Sequence, residues 1–167
     1  MKIYLQDLQK YNQGCSVCGQ WIDLKEFDED ELQKIMKNLV KEEFILLDWE
    51  FEDNEEVFFK DLINEYANPI DLLYRQQTID DLEENEKDAL AFLLEYGNFD
   101  FNEAISKIDD VTFEYGDMQE VAERFLEEQM GKEVYDKIYP YINFQKYIRD
   151  LEIEGFVEYN DKVFYPF

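Results

Sequence analysis

The most informative absences in this sequence concern catalysis. The 167 residues include no histidine, and serine occurs only at Ser16 and Ser106. Without histidine there is no Ser-His-Asp or Cys-His arrangement and no HExxH zinc site. The phosphate-binding patterns GxxxxGK[ST] and GxGxxG are missing as well. We therefore expect a protein that is not an enzyme, with no catalytic residues, no metal and no cofactor.

Positive charge is also scarce. There are 16 Lys+Arg against 42 Asp+Glu, which gives a net charge of −26 and a pI near 4.1. Solubility needs a net charge of only ~2–8 in magnitude, and the excess destabilises the fold through self-repulsion. Direct binding to nucleic acid or to an anionic membrane is disfavoured, because phosphate contacts need Lys and Arg. Halophilic adaptation or recognition by a basic partner would explain the charge.

The charge is large enough to imitate a stretch of DNA. Duplex DNA carries about one negative charge per 1.7 Å of axis, so the net charge matches roughly 44 Å of duplex, or about 13 base pairs. This comparison concerns the amount of charge and not its geometry.

Long apolar runs are absent. No stretch predicts a signal peptide or approaches the ~20 apolar residues of a membrane span, so we expect a cytoplasmic protein that does not contact a membrane. Aromatic residues make up 17% and hydrophobic residues 46% of the chain. A disordered acidic tail would be poor in both, so this chain should fold.

Cysteine is limited to Cys15 and Cys18, which form one CxxC in a predicted loop. A zinc site needs four ligands, and no second CxxC or His pair is present. A redox CxxC usually lies where a strand leads into a helix N-terminus. We favour free loop thiols, with a redox or disulfide pair and a metal site shared across a dimer as alternatives.

The N-terminal part predicts a ββαβ unit. Ile3 and Leu5, with Leu8, are the inward candidates of the first strand, since they follow its period of two. Asp28 and Glu31 have the spacing of a capping box before a helix over 29–40. The three predicted strands cover 2–8, 20–24 and 43–51.

The central part is predicted to be helical, whereas the C-terminal part is predicted to combine helices and strands. Residues 54–108 are predicted to be helical throughout, as a bundle of four short helices in which Asn68 and Pro69 begin one helix. Asp117 is expected to cap a later helix that ends at Gly131. Its predicted apolar stripe is Met118, Val121, Ala122 and Phe125. The remaining predicted elements are a strand over 111–115, helices over 133–139 and 143–152, and a hairpin around Asn160–Asp161.

These patterns predict an α+β protein of three small modules. The N-terminal ββαβ module covers 1–53, the central short-helix bundle covers 54–108, and the C-terminal β-ααα-ββ module covers 109–167.

Acidic residues concentrate in three clusters, one in or next to each module. For one cluster, a solvated face is the simpler interpretation; three together favour a selected anionic surface, since like charges three or four apart destabilise a helix. The first cluster contains Asp48, Glu50, Glu52, Asp53, Glu55 and Glu56. The second contains Asp80, Asp81, Glu83, Glu84, Glu86 and Asp88. The third contains Asp109, Asp110, Glu114, Asp117, Glu120, Glu123, Glu127 and Glu128.

Two enzyme or metal interpretations of the carboxylates are weaker. The first cluster fails the EF-hand pattern, because Gly is absent at its sixth position and Phe59 stands where a bidentate Glu is needed. Chance carboxylate pairs suited to a glycosidase are plentiful among so many acidic residues. A metal-dependent enzyme stays as a rival, which a bound divalent ion would favour.

The segment 132–149 is the least acidic part of the chain and is rich in aromatics. It combines Lys and Arg with Tyr and Phe, which in another context would indicate a nucleic-acid patch. In so acidic a chain, core packing is the better interpretation, followed by self-association.

Several segments resemble the ArdA antirestriction proteins. YINFQKYIRDLEIEG, 141–155, is similar to that family's signature, and DMQEVAERFLEEQMG, 117–131, is similar to its acidic helix with Met130 as one extra residue. IYLQDLQKYNQG, 3–14, resembles the family's opening, Gly19-Gln-Trp21 its G-x-W, and FILLDWEF, 44–51, its D-[WY]-E strand. The CSVC sequence in the first loop and the segment 54–108 depart from the family pattern.

The resemblance implies an elongated three-module homodimer that mimics bent B-form DNA. Such a protein would be encoded by a mobile element, a phage or a chromosome. It would occupy the DNA-binding groove of the methyltransferase core of Type I restriction-modification enzymes. The three clusters would form the mimicking surface, and an acidic decoy for another DNA-binding defence or transcription complex is the alternative. The expected dimer contact comprises Val111, Phe113, Tyr115, Tyr135, Tyr139 and Tyr141.

Overall fold

The computed structural model describes residues 1–15, 17–52 and 54–166. Within these ranges, helices occur together with two three-stranded antiparallel sheets, so the predicted α+β class is confirmed. The chain divides into two compact units, Met1–Phe101 and Asn102–Phe167. The first unit contains the whole first predicted module and most of the second; the division into three modules stays a prediction.

The first sheet has the strand order β2-β1-β3. Ile3 lies opposite Ile22, and Leu5 lies opposite Leu46. All four of these side chains are buried, which confirms the inward positions predicted at Ile3 and Leu5. The alternation ends there, because Gln6 and Asp7 are buried too and Leu8 is half-buried in the helix that follows. The strands are β1 Lys2–Asp7, β2 Gln20–Asp23 and β3 Phe44–Glu50.

A short helix, α1 (Leu8–Asn12), follows β1 where a longer strand and then a loop were expected. The reason is Asp7, a buried carboxylate that accepts hydrogen bonds from the backbone N–H groups of Lys10, at 3.0 Å, and Lys41, at 2.8 Å. It acts as an N-cap, which favours a helical turn over continuation of the strand. The bonds from Lys41 and Lys10 lower the pKa of the Asp7 carboxyl, so the cap stays ionised.

The next helix, α2 (Glu29–Leu39), confirms the predicted capping box. Asp28 accepts a bond from the Glu31 N–H at 2.8 Å, and the Glu31 carboxylate accepts one from the Asp28 N–H at 3.3 Å. Leu32, on the inward face of this helix, is fully buried. α2 lies between β2 and β3, as in the predicted ββαβ order, with α1 as an additional short helix between β1 and β2.

Four helices follow β3, as predicted, but the segment is not helical throughout. The helices are α3 Glu56–Phe59, α4 Pro69–Asp80, α5 Glu84–Glu95 and α6 Phe101–Lys107. Residues 60–68 form turns, because Asn64 accepts a bond from the Tyr66 N–H at 2.9 Å and the Glu65 carbonyl accepts one from Leu46 of β3 at 3.0 Å. Asn68 caps α4 with Pro69 at its first position, as expected.

After α6, the second unit has the predicted β-ααα-ββ order. Its sheet has the strand order β4-β6-β5. Asn160 and Asp161, with φ values of 50° and 57°, form the hairpin turn, which suits the right-handed twist of the paired strands. The elements are β4 Phe113–Tyr115, α7 Met118–Met130, α8 Lys132–Ile138, α9 Phe144–Glu154, β5 Val157–Tyr159 and β6 Lys162–Phe164.

The core of the second unit orients α7. Met118, Val121 and Ala122 of α7 pack in one cluster with Leu151 of α9 and Val163 of β6. Leu126 is also buried, whereas the predicted stripe member Phe125 is only partly so. Because the apolar face of α7 is turned inward, its glutamates are carried on the remaining faces.

Cys15 and Cys18 are joined in a disulfide, so the favoured interpretation of free thiols is wrong. The turn after α1 brings their Cα atoms to 5.7 Å, a separation typical of disulfides.

Candidate acidic interface

Carboxylates dominate the polar side chains from which a functional site could be built. Within residues 1–15, 17–52 and 54–166, no group of three or more Cys, Asp or Glu is arranged to hold a metal ion. No helix in the same ranges is both long and apolar enough to cross a membrane. The question is therefore which carboxylates face solvent and which are neutralised by a neighbour.

The first cluster is partly internal. Asp48 and Glu50 of β3, together with Glu52 and Glu56, are exposed, whereas Asp53 lies outside the described residues. Glu55 is only 8% exposed and therefore does not belong to an exposed surface.

Glu55 lies in an ion-pair network. Its carboxylate is 2.9 Å from Nζ of Lys25 and 3.3 Å from the amino group of Met1, and Glu52 lies 2.7 Å from the same Lys25. Burial alone would raise the pKa of the Glu55 carboxyl, but Lys25 and the Met1 amino group lower it below its usual range. Burial would lower the pKa of Lys25, yet its bonds to Glu52 and Glu55 raise it.

The second cluster surrounds the start of α5. Glu86 accepts a hydrogen bond from the Glu83 N–H at 2.7 Å, which forms a capping box. Asp80 accepts one from the buried Gln76 amide at 2.9 Å, and Glu84 pairs with Lys87 at 2.9 Å. Carboxylates at a helix N-terminus are favoured by the helix dipole, so part of this cluster has a local structural role. Asp80, Asp81, Glu83 and Glu84 are exposed, and Glu86 and Asp88 are half-buried.

The third cluster begins before α7. Asp109 and Asp110 are exposed in the short 3-10 helix Ile108–Asp110, and Asp117 caps α7 by accepting a bond from the Glu120 N–H at 2.8 Å. Glu114 of β4 is different, because it pairs with Arg124 at 2.9 Å. Glu114 also accepts a hydrogen bond from the Tyr165 hydroxyl at 2.8 Å. Burial and this bond to Glu114 raise the pKa of Tyr165 to about 12.

The glutamates of α7 form a line on one side of the helix. Glu120, Glu123 and Glu127 follow three- and four-residue spacing, which puts them on one face. Glu120 is exposed and the other two are half-buried, while Glu128 beside them is exposed. The only ion pair made by these four within the described ranges joins Glu127 to Lys132, at 3.2 Å.

A cleft of about 600 Å³ opens beside this line of glutamates. Arg124 borders it, but the other lining residues are acidic or aromatic: Glu120, Glu123, Glu127, Tyr135, Asp136 and Tyr139. The sequence analysis missed this arrangement, since it assigned Tyr135 and Tyr139 to a dimer contact and did not place Asp136 with the glutamates. The i, i+4 spacing of Tyr135 and Tyr139 is the feature of the sequence from which their placement together in the cleft could have been predicted.

The residues expected at a dimer contact vary in exposure. Tyr115 and Tyr141 are 65% and 86% exposed, whereas Tyr135 is 7% exposed. Phe113 packs against Phe164 with ring centroids 5.0 Å apart. Val111 is half-buried and Tyr139 is exposed.

The comparisons with known proteins agree with the resemblance of the sequence. No curated protein matches the chain. The family profile described as Antirestriction protein (ArdA) matches residues 3–165, nearly the whole chain. The chain therefore belongs to the ArdA family of antirestriction proteins.

Proposed function

We propose that this protein is a stoichiometric inhibitor, without catalytic activity, of Type I restriction-modification enzymes. It acts in the cytoplasm of a bacterial host by occupying the DNA-binding groove of the methyltransferase core. Its exposed carboxylates take the positions of DNA phosphates and pair with the Lys and Arg residues of that groove. The line of glutamates on α7 is the observation that carries this proposal.

The physical basis is electrostatic complementarity. Three of the four α7 glutamates have no ion-pair partner within the described part of the chain, so they are available to external cations. A groove that binds DNA gains much of its affinity from the release of counterions. An anionic protein that binds in the groove gains affinity from the same release. The proposed surface comprises the exposed and half-buried carboxylates of the three clusters; it omits the buried Glu55.

A competition titration tests this proposal. A Type I methyltransferase core is bound to labelled duplex DNA, and the protein is added at low and at high salt. We expect displacement near one-to-one stoichiometry and a clear weakening at high salt, because the pairs are solvent-exposed. Failure to displace DNA at low salt would overturn the proposed target and direct attention to another basic partner.

We further propose that the inhibitor is a homodimer. β4 is an edge strand of its sheet, and exposed backbone edges are suited to pairing with a second chain. Val111, Phe113 and Tyr115 lie on or beside this strand, and the exposed Tyr141 adds apolar area. Light scattering tests the claim, and a monomer at micromolar concentration would overturn it.

A further inference from the structure

The cleft beside α7 has a shape and composition that differ from the rest of the acidic surface. α7 provides carboxylates on one side, α8 provides Tyr135 and Asp136, and the turn after α8 provides Tyr139. Gly131 separates the two helices with a φ of 76°, a value that glycine adopts without strain. A volume of about 600 Å³ falls within the ~300–1,000 Å³ of ligand pockets.

The lining charge is negative and only partly compensated, because Glu127 pairs with Lys132 at 3.2 Å and Glu123 accepts a hydrogen bond from Gln119 at 3.0 Å. Arg124 is directed to β4, where its Nε donates to Glu114 at 3.0 Å and its guanidinium donates to the Tyr115 carbonyl at 2.6 Å. Within the described ranges, the side chains of Glu120 and Asp136 make no hydrogen bond or ion pair. The cleft is therefore arranged to receive a cation from outside.

Tyr135 is the second observation that indicates a ligand. Its side chain lines the cleft and is 7% exposed, yet its hydroxyl makes no hydrogen bond with any described residue. The oxygen of this hydroxyl is not fully enclosed, so it is open to a ligand in the cleft. Burial raises the pKa of the Tyr135 phenol, and the carboxylates of Glu123 and Glu127 raise it further. The neutral hydroxyl can therefore donate to a carboxylate and accept from an incoming N–H group.

The aromatic wall indicates what kind of cation fits. The rings of Tyr135 and Tyr139 lie edge to face, with centroids 5.5 Å apart, and Tyr139 is 43% exposed. A guanidinium stacks on a tyrosine face and forms bidentate bonds with carboxylates, whereas an ammonium acts as a compact point charge. A small metal ion fits poorly, because the described carboxylates form no metal-binding group.

From this geometry we propose that the cleft is a socket for one arginine side chain of the enzyme's DNA-binding groove. The proposal rests on the proposed function and makes one position on the acidic surface more important than the others. The guanidinium stacks on Tyr139, bonds to Asp136 and the α7 glutamates, and donates to the Tyr135 oxygen.

Matched variants test the socket in the DNA-displacement titration. Asp136→Asn removes one lining carboxylate charge, and Tyr139→Ala removes the exposed aromatic ring. Each should raise the half-displacement concentration about tenfold or more, as expected at a hot spot. Their controls are Glu133→Gln, an exposed carboxylate of the same helix, and Tyr66→Ala, an exposed tyrosine outside the three clusters and the proposed dimer contact. The controls should change it by less than about threefold. Equal effects of cleft and control variants would overturn the socket.

A binding experiment without the enzyme provides an independent readout. The full chain is titrated with acetyl-Gly-Arg-Gly-amide and followed by NMR of the tyrosine rings. The citrulline peptide, which has the same shape without the charge, is the control. Saturable shifts of Tyr135 and Tyr139 with the arginine peptide alone support the socket. Equal responses to both peptides, or none, overturn it.

The outcomes separate the two proposals. If the wild-type protein does not displace DNA, the proposed function fails, and the peptide titration alone decides whether the cleft binds a guanidinium. If it displaces DNA but cleft variants match their controls, only the socket fails. Circular dichroism and light scattering of each variant exclude unfolding or a changed oligomeric state as the cause. Tyr135→Phe keeps the ring and should weaken displacement less than Tyr139→Ala.

Discussion

The carboxylates around Lys25 and those on α7 both come from acidic stretches of sequence, yet the fold gives Glu55 and the α7 glutamates opposite surroundings. Glu55 is buried between Lys25 and the amino group of Met1. Glu120 and Glu128 are exposed and have no ion-pair partner within the described ranges. A buried carboxylate needs a counterion inside the protein, whereas an exposed one can pair with a partner's cation. The comparison shows that local acidity does not by itself identify an interaction surface.

The largest effect is expected from reversing the charge of α7. Glu120, Glu123, Glu127 and Glu128 are all changed to Lys. Each exposed pair contributes up to about 1 kcal/mol, so losing four should weaken binding to the methyltransferase core by up to about a thousandfold. The measurement is the Kd from the displacement titration.

The control for this variant keeps the same total charge. Glu26, Glu42, Glu43 and Glu65 are exposed, lie outside the three clusters, and are changed to Lys together. This control should retain most of its inhibition. If both variants lose inhibition equally, net charge and not the α7 surface governs binding.

The opposite behaviour is expected at Glu55. Glu55→Ala should lower the free energy of unfolding by about 3 kcal/mol, because it leaves the buried Met1 amino group without its ionic partner. Denaturant unfolding measures this change. The adjacent exposed Glu56→Ala should stay within about 0.5 kcal/mol of wild type, and equal losses at both positions would contradict the assigned difference.

The pH dependence of stability sharpens the same comparison. The pKa of Glu55 is lowered on folding, so the unfolded state binds its proton more readily and stability rises with pH in this window. The contribution is complete above the ordinary glutamate pKa of about 4.3 and is lost as pH falls through the folded-state value. The difference in unfolding free energy between wild type and Glu55→Gln should therefore stay constant from pH 6 to about pH 5 and shrink as pH falls below about 4.3. A difference that is constant with pH would refute the ionic role.

The smallest effects are expected at Asp117, where two substitutions distinguish loss of the helix cap from loss of a surface charge. Asp117→Ala should cost about 1 kcal/mol of stability, because the N-cap of α7 is lost, whereas Asp117→Asn should keep the cap. Both remove one negative charge, so both should weaken inhibition by less than about threefold. Thermal unfolding and the displacement titration measure the two effects. A stability loss in the Asn variant as large as in the Ala variant would show that charge, not the cap, matters there.

Local chemistry in the sequence was sufficient to predict most of the secondary structure. The Asp28–Glu31 capping box, the Asn68–Pro69 helix start, the Asp117 cap and the Asn160–Asp161 turn are confirmed. Each of these depends on side chains within a few residues of the backbone groups they satisfy, so the pattern is visible in a short window. The segment 60–68 was mispredicted because its backbone bonds to β3, which is distant in sequence.

The sequence by itself determined the α+β class, the order of the elements apart from α1, the excess of negative charge and the resemblance to the family. Tertiary structure alone decided that Glu55 is buried while Glu56 is exposed. It also decided that the Asp7 carboxylate, which caps α1, accepts a second hydrogen bond from the Lys41 N–H. It also brought Tyr135 and Asp136 beside the glutamates of α7. The physical reason is that the state of a carboxylate depends on burial and on the charges within a few ångströms, and these are set by residues far apart in the chain.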